Sequence, residues 1–310
     1  MTAGETEPTA PAEAGGPPPD IKTVSVIVPH LDDYDNLDAC LALLGEQTFP
    51  KDRTEIIIAD NGSSRGPDAL RELVGARGRI VEVEERGAGP ARNAGVRASR
   101  GEALAFLDSD CRPDRRWLEE GLAGLRFSDF VGGRVDVLVG DKRRMTAAEA
   151  FESVFAFQNE RYVKRRGFTV TASMFVPRSV FDAVGPFENG VPEDIDWCRR
   201  ARAKGYRIGF APRSIVEHPA RRTMDELERK WRRLTLEWFT AARREGKGRA
   251  PMMAHEWGGL LAIAPGALAL LTTRRLSGAR DRILAIGVLA RIRAYRFMVA
   301  HRAILGSAEK

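Results

Sequence analysis

The chain has 310 residues, 43% of them hydrophobic and 30% charged, which is enough apolar material for a sizeable core and rules out a disordered chain. Three cysteines (Cys40, Cys111, Cys198) with no Cys-x-x-Cys pair, and only four histidines, argue against a disulfide framework, a thiolate zinc site or a His-rich metal cage, and fit a reducing compartment. The net charge of +6 divides unevenly: residues 221–310 hold 19 Lys and Arg against 8 Asp and Glu, a balance of +11, which leaves −5 over residues 1–220.

Residues 1–20 carry Ala, Pro, Gly and Glu and end in Pro17-Pro18-Pro19. They have no basic segment followed by an apolar run, so they read as a disordered lead-in and not as a signal peptide. From Thr23 the pattern becomes rhythmic. Thr23–Val28, Glu55–Ala59, Arg79–Glu84 and Ala103–Leu107 are short apolar runs bounded by turn residues, with helical patterns at Asp35–Gln47 and Ala91–Ser99 between them. Strands alternating with helices predict a mostly parallel α/β sheet with helices on both faces. After Asp114 the rhythm loosens. Phe130–Val139 and Thr169–Val176 read as strands, Met145–Lys164 as one long helix, and Tyr206–Ala211 as a short last strand. Asp194–Lys204 reads as a helix with an acidic first turn and Gly205 just beyond its end. The division expected is a segment 1–20, a catalytic-sized domain 21–220, and a basic helical region 221–310.

Ligands of parallel α/β sheets bind beyond the carboxyl ends of the strands. Three polar clusters fall there: Pro29-His30-Leu31-Asp32-Asp33, Asp60-Asn61-Gly62-Ser63-Ser64 and Asp108-Ser109-Asp110. Asp, Asn, Ser and Gly are turn formers, which explains any one cluster but less easily three in succession. Two carboxylates one residue apart repel each other unless a cation neutralises them. Hard divalent ions take oxygen ligands and complete their shells with water and substrate phosphates. Asp108 and Asp110 therefore point to a metal that holds a diphosphate. The chain has no Walker loop, and Gly87-Ala88-Gly89-Pro90-Ala91 lacks dinucleotide-fingerprint spacing.

Val24–Pro29, Asp60–Ser63, Ala91-Arg92-Asn93-Ala94-Gly95, Phe106–Asp110, and Glu193–Trp197 with Arg200 and Gly205 together resemble glycosyltransferase family 2, in words, order and spacing, over about residues 22–220. The resemblance implies a GT-A fold, a nucleotide-diphosphate (NDP) sugar donor with a UDP-sugar favoured, Mg²⁺ or Mn²⁺, and transfer with inversion. It implies that Pro29, Asp32 and Asp33 border the nucleobase, that Asp60 and Asn61 bind it, and that Arg92 faces the nucleotide. Asp108 would lie nearer the ribose and share the metal with Asp110, the principal ligand, and with His218. Asp194 would be the general base that takes the acceptor hydroxyl's proton, with Glu193 and Asp196 as the other candidates. The plain alternative for Asp194 is a helix first turn, where an acid is stabilised by about 0.3–1 kcal/mol. Three departures stand out. Leu31 occupies a position often held by tyrosine, Thr171-Ala172-Ser173-Met174 replaces the usual acceptor-side word, and the Gln-x-x-Arg-Trp word of processive synthases is missing, so single transfers are expected. A metal-dependent nucleotidyltransferase and a non-catalytic, membrane-recruited module are the competing readings.

In the basic region, Met224–Arg244 is a charged helix with Leu227, Trp231, Leu234 and Trp238 at helical spacing, expected to pack on the body. Gly258–Thr273 is uncharged, is interrupted by Pro265, and is followed by Arg274-Arg275. About 24 Å of helix is short for a bilayer core near 30 Å, so a re-entrant or interfacial segment is expected. Ile283–Ala300 has the make-up of a surface-lying amphipathic helix, and residues 274–302 hold eight arginines against the single Asp281. These features place the enzyme on the cytoplasmic face of an anionic membrane, with a lipid-linked or saccharide acceptor from cell-surface glycan assembly. The rival is a soluble helical pair docked on the domain. Nucleic acid is not an expected partner, because no nucleic-acid module accompanies the basic tail.

Overall fold

The computed structural model describes residues 21–306; the expected lead-in over residues 1–20 lies outside them. The first half alternates strictly: β1 (Val24–His30), α1 (Tyr34–Leu44), β2 (Thr54–Asp60), α2 (Gly66–Val74), β3 (Arg79–Glu82), α3 (Ala88–Ala98) and β4 (Ala103–Phe106). The four strands pair in parallel in the order β3-β2-β1-β4. Their register sets His30 beside Asp60 and Ile27 beside Phe106. All four carboxyl ends therefore open on one edge, where the polar clusters follow.

The second half comprises β5 (Arg112–Pro113), α4 (Trp117–Gly124), β6 (Phe130–Leu138), α5 (Ala147–Phe155), the one-turn α6 (Asn159–Arg161), β7 (Met174–Pro177), α7 (Arg178–Val184), α8 (Glu193–Ala203) and β8 (Ile208–Pro219). These strands extend the sheet beyond β4 as β7-β6-β8-β5. β7 is antiparallel to both neighbours, so β6 and its parallel partner β8 again point the same way as β1. Successive side chains on a strand face opposite sides, and β1 shows the consequence. Val26 and Val28 join one core with Leu37, Leu70 and Trp117, whereas Ile27 joins the other with Phe106, Phe130 and Trp197. The first core lies under α1, α2 and α4, the second under α3, α7 and α8. Close contact needs a missing side chain at Gly121, where a Cβ would lie 2.2 Å from the Phe175 ring.

Three expected elements differ. The single helix over Met145–Lys164 breaks after Phe155. Phe157 takes a left-handed φ of 48°, and a π-turn at Tyr162–Arg166 ends on Gly167 at φ 70°. Buried Asn159 explains the break: its Nδ2 donates to the Gly133 carbonyl at 2.6 Å and to Thr169 Oγ1 at 2.9 Å, satisfying a strand where β6 shifts register against β8. An unbroken helix could not deliver that amide. The strand expected over Thr169–Val176 starts only at Met174, after a 3₁₀ turn at Thr171–Ser173. The last strand does not stop at Ala211. It runs on to Pro219, because β6 offers it a parallel ladder that resumes at Ile215 after an irregularity at residues 212–214.

The basic region forms α9 (Met224–Arg244), opened by a Thr223/Glu226 capping box, then α10 (Arg249–Leu261), α11 (Ile263–Thr272) and α12 (Ala279–Leu305). α12 packs along α5 and α9. Its Ala285, Val288, Leu289 and Ile292 are buried in a third core with Phe151, Leu227 and Leu270. Much of the apolar face of Ile283–Ala300, expected to lie on a membrane surface, is thus covered by protein, while Ile283 and Met298 stay exposed. Several of the eight arginines are also engaged internally. Arg282 donates to the carbonyls of Leu270, Leu271, Thr273 and Leu276, Arg280 to Met145, Arg275 to Ser153, and Arg291 to Glu228.

Candidate active site

The loops after β1 and β2 are tied together by short polar side chains. Asp32, at φ 57°, accepts hydrogen bonds from the Ser64 amide at 2.6 Å and from Ser64 Oγ at 2.8 Å. Those donors hold its carboxyl below the ordinary range. Ser63 Oγ donates to Asp60 Oδ1 at 2.6 Å and accepts from the Asp32 amide at 3.0 Å. Asn61 organises the next loop, donating to the Glu85 carbonyl and accepting from the Gly87 amide, both at 2.7 Å. Asp33 accepts from the Asn36 amide at 2.9 Å.

Arg92 stands at the centre. α3 carries it beneath the strand ends, where it is 3% exposed. Its Nη2 donates to Asp108 Oδ1 at 2.6 Å and its Nη1 to Glu193 Oε1 at 2.9 Å. Burial works against its charge, but Asp108 and Glu193 outweigh burial and raise its pKa. One guanidinium thus joins the loop after β4 to the first turn of α8. Arg92 lines the cleft expected to hold the nucleotide, and there its guanidinium is paired with two carboxylates.

Asp110 faces His218, near the end of β8, with Oδ2 and Nε2 3.3 Å apart. His218 Nδ1 lies 2.9 Å from the Pro219 carbonyl. An N–H donated there leaves the Nε2 lone pair toward Asp110. A carboxylate and an imidazole lone pair aimed at one point suit a divalent cation. Cys111 Sγ is also within 4.8 Å, but its thiol is pushed well above its ordinary pKa by burial and is a poor ligand for a hard ion. Loss of water raises the Asp110 pKa, and Asp108 adds to the rise. The fit for a cation is therefore good on both donor set and charge.

The first turn of α8 presents three acids in three states. Glu193 is held by Arg92, and Asp196 accepts from Arg200 Nε at 2.8 Å, one turn along. Among the described residues Asp194 accepts only its neighbour's amide, from Ile195 at 2.7 Å. Its pKa is pushed from 3.8 up to about 7, first by loss of water and then by the Glu193 charge.

A cleft of about 1940 Å³ connects these groups. Pro29, Asp33, Asn61, Arg92, Asp108, Asp110, Glu193, Asp194 and His218 all line it, whereas Asp32 and Asp60 do not and hold its rim from behind. Several lining residues were not among the expected site residues, although His30 stands in the polar cluster that follows β1. His30 is 2% exposed, with neither ring nitrogen partnered among the described residues. Phe157 packs against His218, with ring centroids 4.4 Å apart and the planes tilted by 34°. Glu152, 1% exposed at its side chain, collects Lys230 at 2.6 Å and the Arg221 amide at 2.8 Å. The latter partners are 69 and 78 residues away in sequence, beyond any local pattern.

A mostly parallel sheet with paired carboxylates at the carboxyl ends of its strands is the GT-A architecture. The solved structures agree. The fold matches the mannosyltransferase PcManGT from Pyrobaculum calidifontis in complex with GDP-Man and Mn²⁺, with a TM-score of 0.59 over 97% of this chain and 92% of that one at 20% identity. It matches S. aureus TarS in complex with UDP at a TM-score of 0.51, over 92% of each chain and at 16% identity. In sequence, the family described as glycosyl transferase family 2 matches residues 25–185. Glycosyltransferase AglE of Haloferax volcanii is 36% identical over 217 residues, covering 67% of this chain and 71% of the relative. The pre-mycofactocin glycosyltransferase of Mycobacterium tuberculosis is 31% identical over 179 residues, which are 54% of this chain but 37% of the relative. The chain belongs to glycosyltransferase family 2.

The raised Asp194 pKa makes a stability forecast. Between 3.8 and about 7 the folded chain holds a proton that the unfolded chain has released, so this group's contribution declines as pH rises through that window. Asp194→Asn removes the titration. Its melting temperature should exceed that of the wild type by more at pH 8 than at pH 5. An identical difference at both pH values would show that Asp194 titrates normally.

Proposed function

We propose that this glycosyltransferase moves a sugar from an NDP-sugar to an acceptor hydroxyl, with inversion at the anomeric carbon and with Mg²⁺ or Mn²⁺ bound at Asp110, His218 and Asp108. The observation that carries the proposal is the division of labour among the acids of one cleft. Arg92 pairs with Asp108 and Glu193, Arg200 pairs with Asp196, and Asp194 has no cationic partner in hydrogen-bond reach among the described residues. A carboxylate near pH 7 in pKa is suited to taking a proton at neutral pH. In the reaction the acceptor oxygen attacks the anomeric carbon as the bond to the diphosphate breaks, and Asp194 receives the hydroxyl proton. The cation, when bound, would offset the charge gathering on the leaving diphosphate. Pro29, Asp33 and Asn61 border the nucleobase end, and the Asp32–Ser64 and Asp60–Ser63 bonds keep that border rigid. GDP-Man and UDP in the structurally similar proteins support the donor class, and a UDP-sugar is the first donor to test.

The exposed faces of α10 and α11 support seating on a membrane surface. Residues 249–272 are long and apolar enough to cross a bilayer by length and composition, and few of them are covered by protein. Trp257 (54%), Leu261 (77%), Leu268 (62%) and Leu271 (54%) are the exposed large apolar side chains there. The pair docks through Leu270 and Met252, so it lies along the body with its outer face free. Arg274 is exposed at its end; a basic residue near an anionic leaflet adds about 1 kcal/mol.

Three experiments test these readings. Asp194→Asn should lower turnover by about 10²-fold or more while donor binding survives. Asp110→Ala should abolish the Mn²⁺-dependent part of donor binding in calorimetry. Near-normal turnover in the first, or full Mn²⁺-dependent affinity in the second, removes that residue from its role. Separately, the full chain should float with anionic vesicles, and a Trp257→Ser/Leu261→Ser/Leu268→Ser variant should not. Wild-type protein that ignores both anionic and neutral vesicles would end the membrane reading.

A further inference from the structure

Glu152, on α5, is a buried acid that the transfer step leaves unused. Its side chain is 1% exposed and accepts from Lys230 Nζ at 2.6 Å, from the Arg221 amide at 2.8 Å and from Arg221 Nη1 at 3.3 Å. Burial works against its charge, but Lys230 and then Arg221 outweigh burial and hold the carboxyl below its ordinary range. A bolt between α5 and α9 needs one cation. Here one carboxylate holds two, so the cluster keeps a net positive charge, and a charge withdrawn from water is costly unless something pairs with it. Both cations line the cleft, with 26% of the Arg221 side chain and 17% of the Lys230 side chain exposed. Among the described residues neither side chain donates to any group but Glu152, so each keeps N–H groups for a further acceptor.

Two short paths connect this pair to the site proposed for the divalent cation. Arg221 follows His218 closely in the chain, just past the end of β8 at Pro219. Lys230 reaches back from α9. Its ammonium lies 5.5 Å from the centroid of the Phe157 ring, and that ring packs against His218 with centroids 4.4 Å apart. The pair therefore borders the part of the cleft where Asp110 and His218 meet. Arg92, by contrast, is committed to Asp108 and Glu193. In the proposed reaction one group has the charge that Arg221 and Lys230 lack. The terminal phosphate of a nucleoside diphosphate has a second pKa near 6, so the released nucleotide carries about three negative charges at neutral pH, more than one divalent ion offsets.

We propose that Arg221 and Lys230 bind the donor's diphosphate directly, as a second source of positive charge that acts without the divalent cation, and that Glu152 is the positioning residue that holds the two in place. This inference rests on the NDP-sugar reading and deepens it by naming residues at the leaving group. In the step, the acceptor oxygen bonds to the anomeric carbon, the carbon–oxygen bond to the diphosphate breaks, and its electron pair stays on the departing oxygen. The hydroxyl proton goes to Asp194. Arg221 and Lys230 keep their protons and donate hydrogen bonds to the phosphoryl oxygens, and donors fixed beforehand where charge develops cost no reorganisation during the reaction. Part of the affinity for a nucleoside diphosphate therefore survives removal of Mn²⁺, and that part belongs to this pair.

The test is calorimetry on the full chain, titrated with UDP, GDP and dTDP and with the matching monophosphates, in EDTA and in Mn²⁺. In EDTA the preferred diphosphate should bind at least about tenfold more tightly than its monophosphate. Arg221→Gln and Lys230→Met should each weaken the diphosphate about tenfold and the monophosphate far less, with Lys230→Arg recovering part of the loss. A double variant, Glu152→Gln with Lys230→Met, separates binding from a purely structural bolt, because it removes the buried acid together with one of its cations. The proposal predicts that diphosphate affinity stays low in the double variant even where its melting temperature recovers. Affinity that recovers with the melting temperature would reduce the cluster to a bolt and overturn the proposal. So would equal affinities of diphosphate and monophosphate in EDTA, or variants that weaken both alike. Diphosphate binding that needs Mn²⁺ entirely sinks this inference and leaves the NDP-sugar reading standing, whereas wild-type protein that binds none of the diphosphates, with Mn²⁺ or without it, sinks the NDP-sugar reading itself.

Discussion

Carboxylates crowded at one edge of a sheet are the constraint on which this structure depends. Asp33, Asp108, Asp110, Glu193 and Asp194 line one cleft, and acids so placed raise one another's pKa values unless cations intervene. A single buried arginine resolves much of the conflict. Arg92 takes Asp108 and Glu193 together, and removing one member of such a buried cluster leaves the others uncompensated. What remains is informative. In the proposed reading, Asp110, beside an imidazole lone pair, is left for a cation, and Asp194, whose pKa is raised by burial and by the Glu193 charge, is left for a proton.

The fold creates this crowding by topology. Parallel β1, β2 and β4 bring their carboxyl ends into line, and the antiparallel β7 turns the chain so that β6 and β8 end on the same side. His218 arrives from the far half of the sheet to stand 3.3 Å from Asp110. Phe157 is held against His218 in a left-handed backbone conformation unusual for a bulky residue. Such strain persists where the surroundings over-determine it, and it is found preferentially at functional sites. Here the surroundings are Asn159, anchored on β6, and Lys230, anchored on Glu152. The C-terminal helices are therefore continuous with the cleft through α9.

Much of this was legible in the residues themselves, and the limits have physical causes. β1, β2 and β4 are buried on both faces, so their apolar runs announce them, and the turn residues that close them are the ones that line or brace the site. The acidic first turn of α8 was visible for the same local reason. Contacts that depend on the tertiary fold were not. Arg92 meets partners 16 and 101 residues away, so its place on α3 gave its direction but not its bonds. The break after Phe155 was hidden because the residues beyond it keep helical spacing, and only the demand of Gly133 for the Asn159 amide ends the helix. β8 outran its local apolar signal because ladder hydrogen bonds to β6 carry polar residues such as Glu217 into the strand. In the tail, composition revealed the apolar stretch, but not that α12 spends its apolar face on α5 and α9.

The division of the acids can be examined at the cation itself. Pulsed electron paramagnetic resonance of Mn²⁺ added to the protein with UDP reports nitrogen nuclei bonded to the ion. Coordination at Asp110 and His218 predicts a ¹⁴N coupling from one imidazole, present in the wild type and in Asp194→Asn and lost in His218→Ala. Mn²⁺ that shows no protein nitrogen coupling in the wild type, or keeps it in His218→Ala, would contradict the assignment of the cation to this pair.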